Sequence, residues 1–348
     1  MPIDRVFIMP GHGTVVTGTI ASGCIGEGDE VEIYPFGFKA KARSIQIHGR
    51  RVSEATAGQR VGVNLPNVKV EELKRGMVLA EVGSLIPTHL INARLHYLES
   101  NSEPLYRRQR VKFYSGTSEA VARVILLNGE KLLPGESALV QFRLEKKLVP
   151  VPFDKYIVRS LSPISTIGGG TILETNCRKY RRYDPDTIEQ LEVFEKGEHE
   201  EIVELLVKKS KYQPLKPDEI SRKSGLNRSG AKRVIDILLQ RGIIRINGAA
   251  IHKEWYEDLK RKVVDAIKQC YQRNPLQRIV PKEELKSKIG MALDSKLYDR
   301  VLQDLTTEGV IEVKGGGIRL AHSKASLTPE QELIADKLES PSPKPRIF

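Results

Sequence analysis

Hydrophobic and polar residues alternate in short runs through about the first 175 residues, and glycine-containing turns separate the runs. Alternation with a period of two, without helical spacing between the runs, predicts closed antiparallel barrels. The break at Leu85-Ile86-Pro87 divides the runs into two series. We therefore predict two small barrels, at residues 1–85 and 86–178. The runs are VFIMPGHGTVVTGTI, DEVEIYPFG, KARSIQIHG and QRVGVNL, then NARLHYLE, QRVKFYSG, AVARVILLNG, SALVQFRLE and DKYIVRSL.

The pattern changes after Cys177, where apolar residues follow a helical spacing in EEIVELLVKK and KRVIDILLQR. A unit of about seventy residues occurs twice. In each copy a third helix stops at a glycine, Gly242 or Gly309, and two short apolar runs with a glycine turn follow. Three helices and a hairpin form a winged helix, so we predict winged-helix domains at 179–255 and 256–325. Residues 326–348 begin like a helix and end in SPSPKPRIF, which predicts the truncated start of a third winged helix or a disordered tail.

The composition is that of an ordinary soluble protein, with 40% hydrophobic and 29% charged residues among 348. No apolar run is long enough to span a bilayer, and the first residues lack the pattern of a secretion signal. The three cysteines, Cys24, Cys177 and Cys270, lie far apart without a CxxC pair, so neither a disulfide framework nor a metal site is predicted. We expect a cytoplasmic protein without a membrane partner, and a monomer.

The net charge of +12 favours a polyanionic partner, because lysine and arginine gain free energy when they release phosphate counterions. A basic soluble protein without a nucleic-acid role would have the same composition. Charge alone leaves these two interpretations about equal.

Ordered motifs in the barrels resemble those of translational GTPases of the elongation factor Tu type. The first barrel resembles domain II in Asp4, Phe7, the run Gly11–Thr19, Gly28–Val31, Ala57–Val61 and Arg75–Leu79. The second resembles domain III in Gly116-Thr117, Pro134–Glu136, Tyr156–Arg159 and Thr166–Gly170. Two translation-factor-type β-barrels followed by two winged helices, a multidomain β plus α fold, are similar to the bacterial selenocysteine-specific elongation factors (SelB). The resemblance covers about residues 1–325.

The resemblance implies binding of selenocysteinyl-tRNA for incorporation at recoded UGA codons on the ribosome. It places Asp4, Phe7, His12 and Arg60 around the aminoacyl end of the tRNA. A selenol is acidic and largely anionic at neutral pH, and a fixed guanidinium can hold such an anion. The alternatives are a surface salt bridge at Arg60, a core aromatic at Phe7 and a turn residue at His12.

Basic residues further along the chain are candidates for RNA contacts. Proteins bind A-form helices mainly through phosphates and 2′-hydroxyls. The alternative is that any one of these residues lies on a solvated strand face, or on a winged helix that serves as a spacer. In the family, the outermost winged helices bind the selenocysteine-insertion hairpin of the messenger RNA, and this sequence lacks them. Candidates for the tRNA backbone are Arg107, Arg108, Arg110, Arg123 and Arg159, and candidates on the winged helices are Arg228, Lys232, Arg233, Lys296 and Arg300.

The sequence contains no GxxxxGK[ST] phosphate loop and no Asn-Lys-x-Asp guanine signature. The glycines at 168–170 follow a strand without opening a helix, so we expect a barrel turn rather than a phosphate loop. We therefore expect no GTPase activity and no cofactor in this chain, with GTP and magnesium belonging to a GTPase domain outside it. A winged-helix DNA-binding regulator fused to barrels is the alternative function, and no constellation of catalytic residues supports an enzyme.

Overall fold

The computed structural model describes residues 1–11, 13–274, 279–290 and 293–321, without the side chain of Arg245. Two predictions concern residues outside this description: His12 as a pocket residue, and residues 326–348 as the truncated start of a third winged helix or a disordered tail. The chain forms two compact units. One comprises Met1–Leu206 and Pro217–Ile237, and the other comprises Val207–Lys216 and the described chain from Leu238 onward. The division falls inside the first predicted winged helix, and the predicted domain boundaries stay predictions.

The first barrel packs three antiparallel sheets around one apolar core. The sheets have the strand orders β1-β2-β9-β6-β7, β10-β4-β5 and β3-β8, and a bridge between Pro2 and Val78 joins the first two. Alternate strand residues such as Val16, Ile45 and Val63 are completely buried in the core. The strands are β1 Ile3–Met9, β2 Gly13–Thr19, β3 Cys24–Gly26, β4 Glu30–Tyr34, β5 Phe38–Lys41, β6 Ser44–Ile47, β7 Arg50–Val52, β8 Glu54–Thr56, β9 Arg60–Asn64 and β10 Val78–Glu81.

The second barrel is closed, in the order β11-β16-β14-β13-β17-β18. Its interior holds the rings of Phe113, Phe142 and Tyr156, whose centroids lie 5.0–5.2 Å apart. The strands are β11 Thr88–Tyr97, β12 Leu105–Tyr106, β13 Arg110–Ser115, β14 Ser118–Leu126, β15 Lys131–Leu132, β16 Ser137–Leu148, β17 Lys155–Arg159 and β18 Thr166–Thr175.

The three consecutive glycines 168–170 lie inside β18, so the predicted barrel turn was wrong. A Cβ atom on Gly170 would lie 2.0 Å from the carbonyl oxygen of Arg94, and one on Gly169 would lie 2.6 Å from that of Tyr156. The neighbouring strands approach too closely for any side chain, and glycine satisfies this close approach.

Helices follow the second barrel, and α1 is attached to it. Arg94 of β11 donates to both carboxylate oxygens of Glu195 on α1, at 2.8 and 2.5 Å. Gln190 of α1 donates to the hydroxyl of Tyr180 at 3.1 Å, and that hydroxyl donates to Glu174 of β18 at 2.9 Å. The elements are α1 Pro185–Lys196, α2 His199–Lys209, α3 Pro217–Ser224, α4 Arg228–Leu238, β19 Ile243–Ile246 and β20 Ala249–His252.

The second unit contains a winged helix with three helices and a hairpin. Its core includes Leu285 of α6, and Leu297 and Tyr298 of α7. Helix α7 begins at the cap residue Asp294, which accepts a hydrogen bond from the Leu297 amide at 3.0 Å. The elements are α5 Lys253–Arg273, β21 Val280–Pro281, α6 Lys282–Ile289, α7 Ser295–Thr307, β22 Ile311–Lys314 and β23 Gly317–Leu320. None of the helices in the described part of the chain is both long and apolar enough to cross a membrane.

Candidate functional site

A pocket of about 270 Å³ lies on the outward face of the five-stranded sheet of the first barrel. The strand register places two rows of residues across it. In one row Phe7, Val15, Asn64 and Ser44 lie opposite one another, and in the other Thr17 and Gln46 flank Gly62. Strands β1, β2, β9 and β6 therefore build the pocket together. Its lining residues are Phe7, Met9, Val15, Thr17, Ser44, Gln46, His48, Gly49, Arg60, Val61, Gly62 and Asn64.

Gly62 forms part of the pocket floor, and its lack of a side chain keeps the floor low. A Cβ atom placed there would contact methyl groups of Thr17 and Val15 at 3.8 Å, an ordinary van der Waals distance. The φ angle of Gly62 lies outside the left-handed region. Neither the backbone conformation nor a close neighbour requires glycine at this position. The missing side chain of Gly62 therefore serves to leave open space in the pocket. Gly62 could not be predicted from the sequence, because nothing in the linear pattern shows which glycine faces the pocket.

Asp4 and Arg60 form a bidentate ion pair beside the pocket. Arg60 Nη1 donates to Asp4 Oδ2 at 2.5 Å, and Nη2 donates to Oδ1 at 3.1 Å. Thr17 Oγ1 also donates to Oδ1, at 2.7 Å. The register of β1 against β2 shifts between Ile3 and Arg5, which makes Asp4 a bulge residue. The bulge lets the carboxylate reach across β2 to Arg60 on β9, where Arg60 and Thr17 both line the pocket.

The environment of Asp4 favours its ionised form. Partial burial acts to raise the pKa of Asp4, but hydrogen bonds from Arg60 and Thr17, with the charges of Arg60 and Arg5, outweigh burial and lower that pKa. Arg5, which was not among the predicted site residues, is a further cation near this carboxylate. The side chain of Arg60 is 51% exposed and that of Asp4 is 23% exposed, so a ligand can reach the pair.

The predicted pocket residues Phe7 and Arg60 line the same cavity, with Asp4 bound to Arg60. Phe7 is 41% exposed, which excludes a core role and leaves its ring as part of the pocket wall.

The glycines of the nearby motif differ in their surroundings. A Cβ atom on Gly18 would lie 2.2 Å from the carbonyl oxygen of Pro2, so Gly18 is required by packing within the chain, whereas Gly11 has positive φ and open space.

Three of the five predicted tRNA-backbone arginines share the outer face of the second barrel. Arg123 on β14 lies directly opposite Arg110 on β13 and opposite Arg143 on β16. Arg159 lies opposite Lys112 on the next strand pair. Arg143 and Lys112 were missed, although Arg143 alternates with the buried residues Phe142 and Leu144, and this alternation is the signal for an outward side chain.

Arg110, Arg123 and Arg143 form a row of positive charge across three strands. Like charges directly opposite each other repel, so this row is unfavourable while the face has no ligand. Arg110 has one compensating partner, Glu145, at 2.8 Å. The Nε atom of Arg143 is buried without a hydrogen-bond partner among the described residues, and the same holds for Arg159. The exposed arginines of this face are Arg110 and Arg123, whereas the Nε donors of Arg143 and Arg159 are buried and cannot reach a ligand.

Arg107 and Arg108 do not belong to this row. Both lie in the turn between β12 and β13, where Arg107 pairs with Glu130 at 2.8 Å and Arg108 has a φ of 66°. The five candidate tRNA-backbone arginines thus lie in two places, three on a strand face and two in a turn, and their contact with tRNA stays a prediction.

The predicted contact residues of the first winged helix differ in their surroundings. Arg228 donates to both carboxylate oxygens of Asp218, at 2.5 and 2.6 Å, and lies 3.9 Å from Glu81 of the first barrel. Nearby, Arg222 donates to the carbonyl oxygen of Gly83 at 2.8 Å. The start of α4 is therefore attached to the barrels. Arg228 remains exposed in this pair, and Lys232 and Arg233 further along α4 are exposed as well.

In the second unit Lys296 is exposed, and Arg300 pairs with Asp304 at 2.9 Å within α7. Among the described residues no group of three His, Cys, Asp or Glu side chains could hold a metal ion. Burial raises the pKa of the Cys177 thiol to about 12, which makes this cysteine a poor nucleophile at neutral pH.

Comparison with known proteins finds family models that match three segments of the chain. Residues 13–80 match the family model of elongation factor Tu domain 2, residues 92–179 that of the β-barrel domain of selenocysteine-specific elongation factor, and residues 264–320 that of the elongation factor SelB winged helix. The selenocysteine-specific elongation factor of Desulfomicrobium baculatum is 32% identical over 355 residues, covering 98% of this chain and 54% of that protein. A crystal structure of the bacterial selenocysteine-specific elongation factor EF-Sec has a TM-score of 0.69 at 23% identity, covering 96% of this chain and 53% of that one.

The barrels and winged helix are those of a translation elongation factor, and the two-barrel core agrees with the elongation factor Tu type predicted from the motifs. The chain belongs to the family of selenocysteine-specific elongation factors. The chain spans about half the length of the curated relative that it matches.

Proposed function

We propose that this chain holds selenocysteinyl-tRNA during selenocysteine incorporation at recoded UGA codons, with the aminoacyl end in the pocket of the first barrel. The observation that carries the proposal is the position of Arg60, whose guanidinium lines an open pocket and remains half exposed. A selenolate in this pocket would form hydrogen bonds with Arg60 in which both partners are charged, and a neutral serine hydroxyl would gain less from the same guanidinium. Phe7 supplies an apolar wall for the part of the ligand that carries no charge.

The outer face of the second barrel is the proposed surface for the tRNA backbone. Arg110, Arg123 and Arg143 lie on three adjacent strands and present a positive strip that suits phosphates of an A-form stem. A bound polyanion would reduce the repulsion among these arginines. Binding of a polyanion should therefore also stabilise the barrel.

The proposal includes the cytoplasm as the site of action and the ribosome as a further partner. GTP hydrolysis belongs to a domain outside this sequence, because the phosphate-binding and guanine-binding motifs are not in it. The DNA-regulator alternative is disfavoured by the first barrel, whose residues 13–80 match elongation factor Tu domain 2 and would have no role in such a regulator.

The test compares hydrolysis of the aminoacyl ester in selenocysteinyl-tRNA and in the same tRNA carrying serine. We expect the chain to slow hydrolysis of the selenocysteinyl ester more than that of the seryl ester. Charge-assisted hydrogen bonds of about 1.5–3 kcal/mol correspond to a preference of roughly ten- to a hundredfold. Equal protection of both esters would contradict the proposed pocket.

A further inference from the structure

Trp255 is the single tryptophan of the chain, and several contacts hold it in place within the second unit. Its indole Nε1 donates to the carbonyl oxygen of Lys208 at 2.6 Å, and its ring packs against the apolar core of this unit. The ring of Tyr212 meets it edge-on, with centroids 5.4 Å apart. The hydroxyl of Tyr212 donates to Asp258 at 2.5 Å and accepts from Lys262. The two rings therefore form a fixed surface between the end of α2 and the start of α5, which we call the Trp255 surface.

Lys211 occupies a position at the end of α2 where glycine is the usual residue. Helix α2 ends at Lys209, and Lys211 follows two residues later with a φ of 52°, in the left-handed region. The amide of Lys211 donates to the carbonyl oxygen of Lys208 at 3.3 Å, which closes the helix end. A lysine in this conformation strains the backbone, whereas a glycine would not. Residues with such strain concentrate at functional sites, so the side chain of Lys211 is a candidate for a binding role.

The ammonium of Lys211 lies over the ring of Trp255, 5.8 Å from the ring centroid. A cation in this position is attracted by the negative face of the ring. Lys211 is exposed, and its ammonium forms no ion pair with a described residue. The ring thus fixes the position of a positive charge at the surface without neutralising that charge.

Lysines outnumber carboxylates around the Trp255 surface. Residues 207–216 contain four lysines and no acidic residue. Two carboxylates of α5 border the surface, and both are already paired, Glu254 with Lys208 at 3.0 Å and Asp258 with Lys262 at 2.9 Å. The surface therefore carries a net positive charge and suits a polyanion.

The contacts of Trp255 favour phosphates over bases as the partner of this surface. Lys211 lies over the ring, Tyr212 meets its edge, and Lys208 occupies the indole donor, so the indole has no donor left to read a base. We propose that Lys211, held over Trp255, binds the phosphate backbone of an RNA without regard to its sequence. This RNA site is additional to the barrel surfaces of the proposed function, and RNA is the polyanion that a translation factor meets.

Trp255 fluorescence reports on this surface alone, because the chain has no other tryptophan. The full chain is titrated with a short RNA duplex of arbitrary sequence at several salt concentrations, and separately with polyglutamate. RNA should change the emission of Trp255 saturably as phosphate draws the ammonium from the ring, and the affinity should fall steeply with salt. Polyglutamate should bind at least about tenfold more weakly, because its charges are less dense than those of a duplex.

Replacement of Lys211 tests the phosphate contact. Lys211→Gln should reduce the slope of log affinity against log salt by about 1 and abolish most of the change in Trp255 emission. Lys211→Gly should have the same effect on binding and should retain the thermal unfolding temperature, since glycine adopts the left-handed conformation without strain.

Lys268→Gln is the matched control. Lys268 lies on the same helix as Trp255, about 20 Å further along its axis, and its side chain is 59% exposed. Its removal deletes the same charge and should leave both the salt slope and the emission change as in the wild-type chain. The proposal is overturned if RNA binds without changing Trp255 emission, if RNA does not bind at all, if Lys211→Gln and Lys268→Gln alter the slope equally, or if polyglutamate binds as tightly as RNA.

Discussion

Gly62 lies directly opposite Thr17 where β9 pairs with β2, and the hydrogen atom in place of a side chain leaves room above the sheet. Gly62→Val should fill this room and abolish the preferential protection of selenocysteinyl-tRNA, with Gly62→Ala having an intermediate effect. Since an added Cβ atom meets only ordinary contacts at 3.8 Å, thermal unfolding of Gly62→Ala should show an intact fold. Full protection by the valine variant would place the aminoacyl end elsewhere.

Replacement of Arg60 tests the charge in the pocket. Arg60→Ala should remove most of the roughly ten- to a hundredfold preference for the selenocysteinyl ester, and Arg60→Lys should retain part of it, because the charge survives without the planar fork. Ester hydrolysis rates of the two charged tRNAs measure the effect. Arg51→Ala, which removes an ion-paired guanidinium that is even more exposed and lies outside the pocket, is the control and should change nothing.

Arg123 should influence stability and tRNA binding in opposite directions. Removal of the middle charge in Arg123→Gln relieves repulsion with Arg110 and Arg143, so the free energy of unfolding should rise by roughly 0.2–1 kcal/mol. The same change should weaken tRNA binding and reduce the slope of log affinity against log salt by about 1. Denaturant unfolding and salt-dependent titrations measure the two effects.

The control for Arg123 is Arg107→Gln, because Arg107 lies in a turn and is already paired with Glu130. Its removal should slightly lower the free energy of unfolding and leave the salt slope nearly unchanged. An equal loss of affinity in both variants would show that the strip on the strand face has no special role.

The acid stability of the first barrel should depend on Asp4. Its pKa lies below the ordinary value of 3.8, so its contribution to stability is complete above that value and is lost as pH falls through the lowered pKa. At neutral pH Asp4→Asn should therefore be less stable than the wild-type chain, by no more than about 1 kcal/mol because the pair is partly exposed. The difference should disappear in strong acid. A difference that is constant across the pH range in denaturant unfolding would refute the assignment.

Guanine nucleotides should not bind to this chain. The sequence contains no phosphate loop whose backbone amides and lysine could surround the phosphates. Calorimetric titration with GTP and GDP in the presence of magnesium should show no saturable heat. Saturation at micromolar nucleotide would reveal a binding site of another type.

The sequence predicted the barrels and winged helices well, because strict alternation and helical spacing are local signals. Phe7 and Arg60 lie at the same pocket, as the motif order indicated, but the contact between Asp4 and Arg60 depends on a bulge that shifts the register of β1. The open floor at Gly62 depends on which strands become neighbours, and no local pattern contains that information. The glycines at 168–170 were assigned to a turn because close approach of strands in a barrel has the same local composition as a turn.

Electrostatic relationships were the hardest to predict. Strand alternation identifies Arg143 as outward, but only the register shows that it continues a row begun by Arg110. Arg228 has the position of a recognition-helix arginine, whereas Asp218, ten residues earlier in the chain, holds it. Ion pairs between distant positions depend on packing, and a charge in the sequence does not reveal its partner.

The attachment of α1 to the second barrel determines where this protein can be divided into fragments. A fragment that stops at residue 178, the predicted end of the barrel, would remove Tyr180 and Glu195 and leave Glu174 and Arg94 without them. Each buried or partly buried polar group that loses its partner costs about 1–3 kcal/mol. An expression fragment of the barrels should therefore extend through Lys196, the last residue of α1.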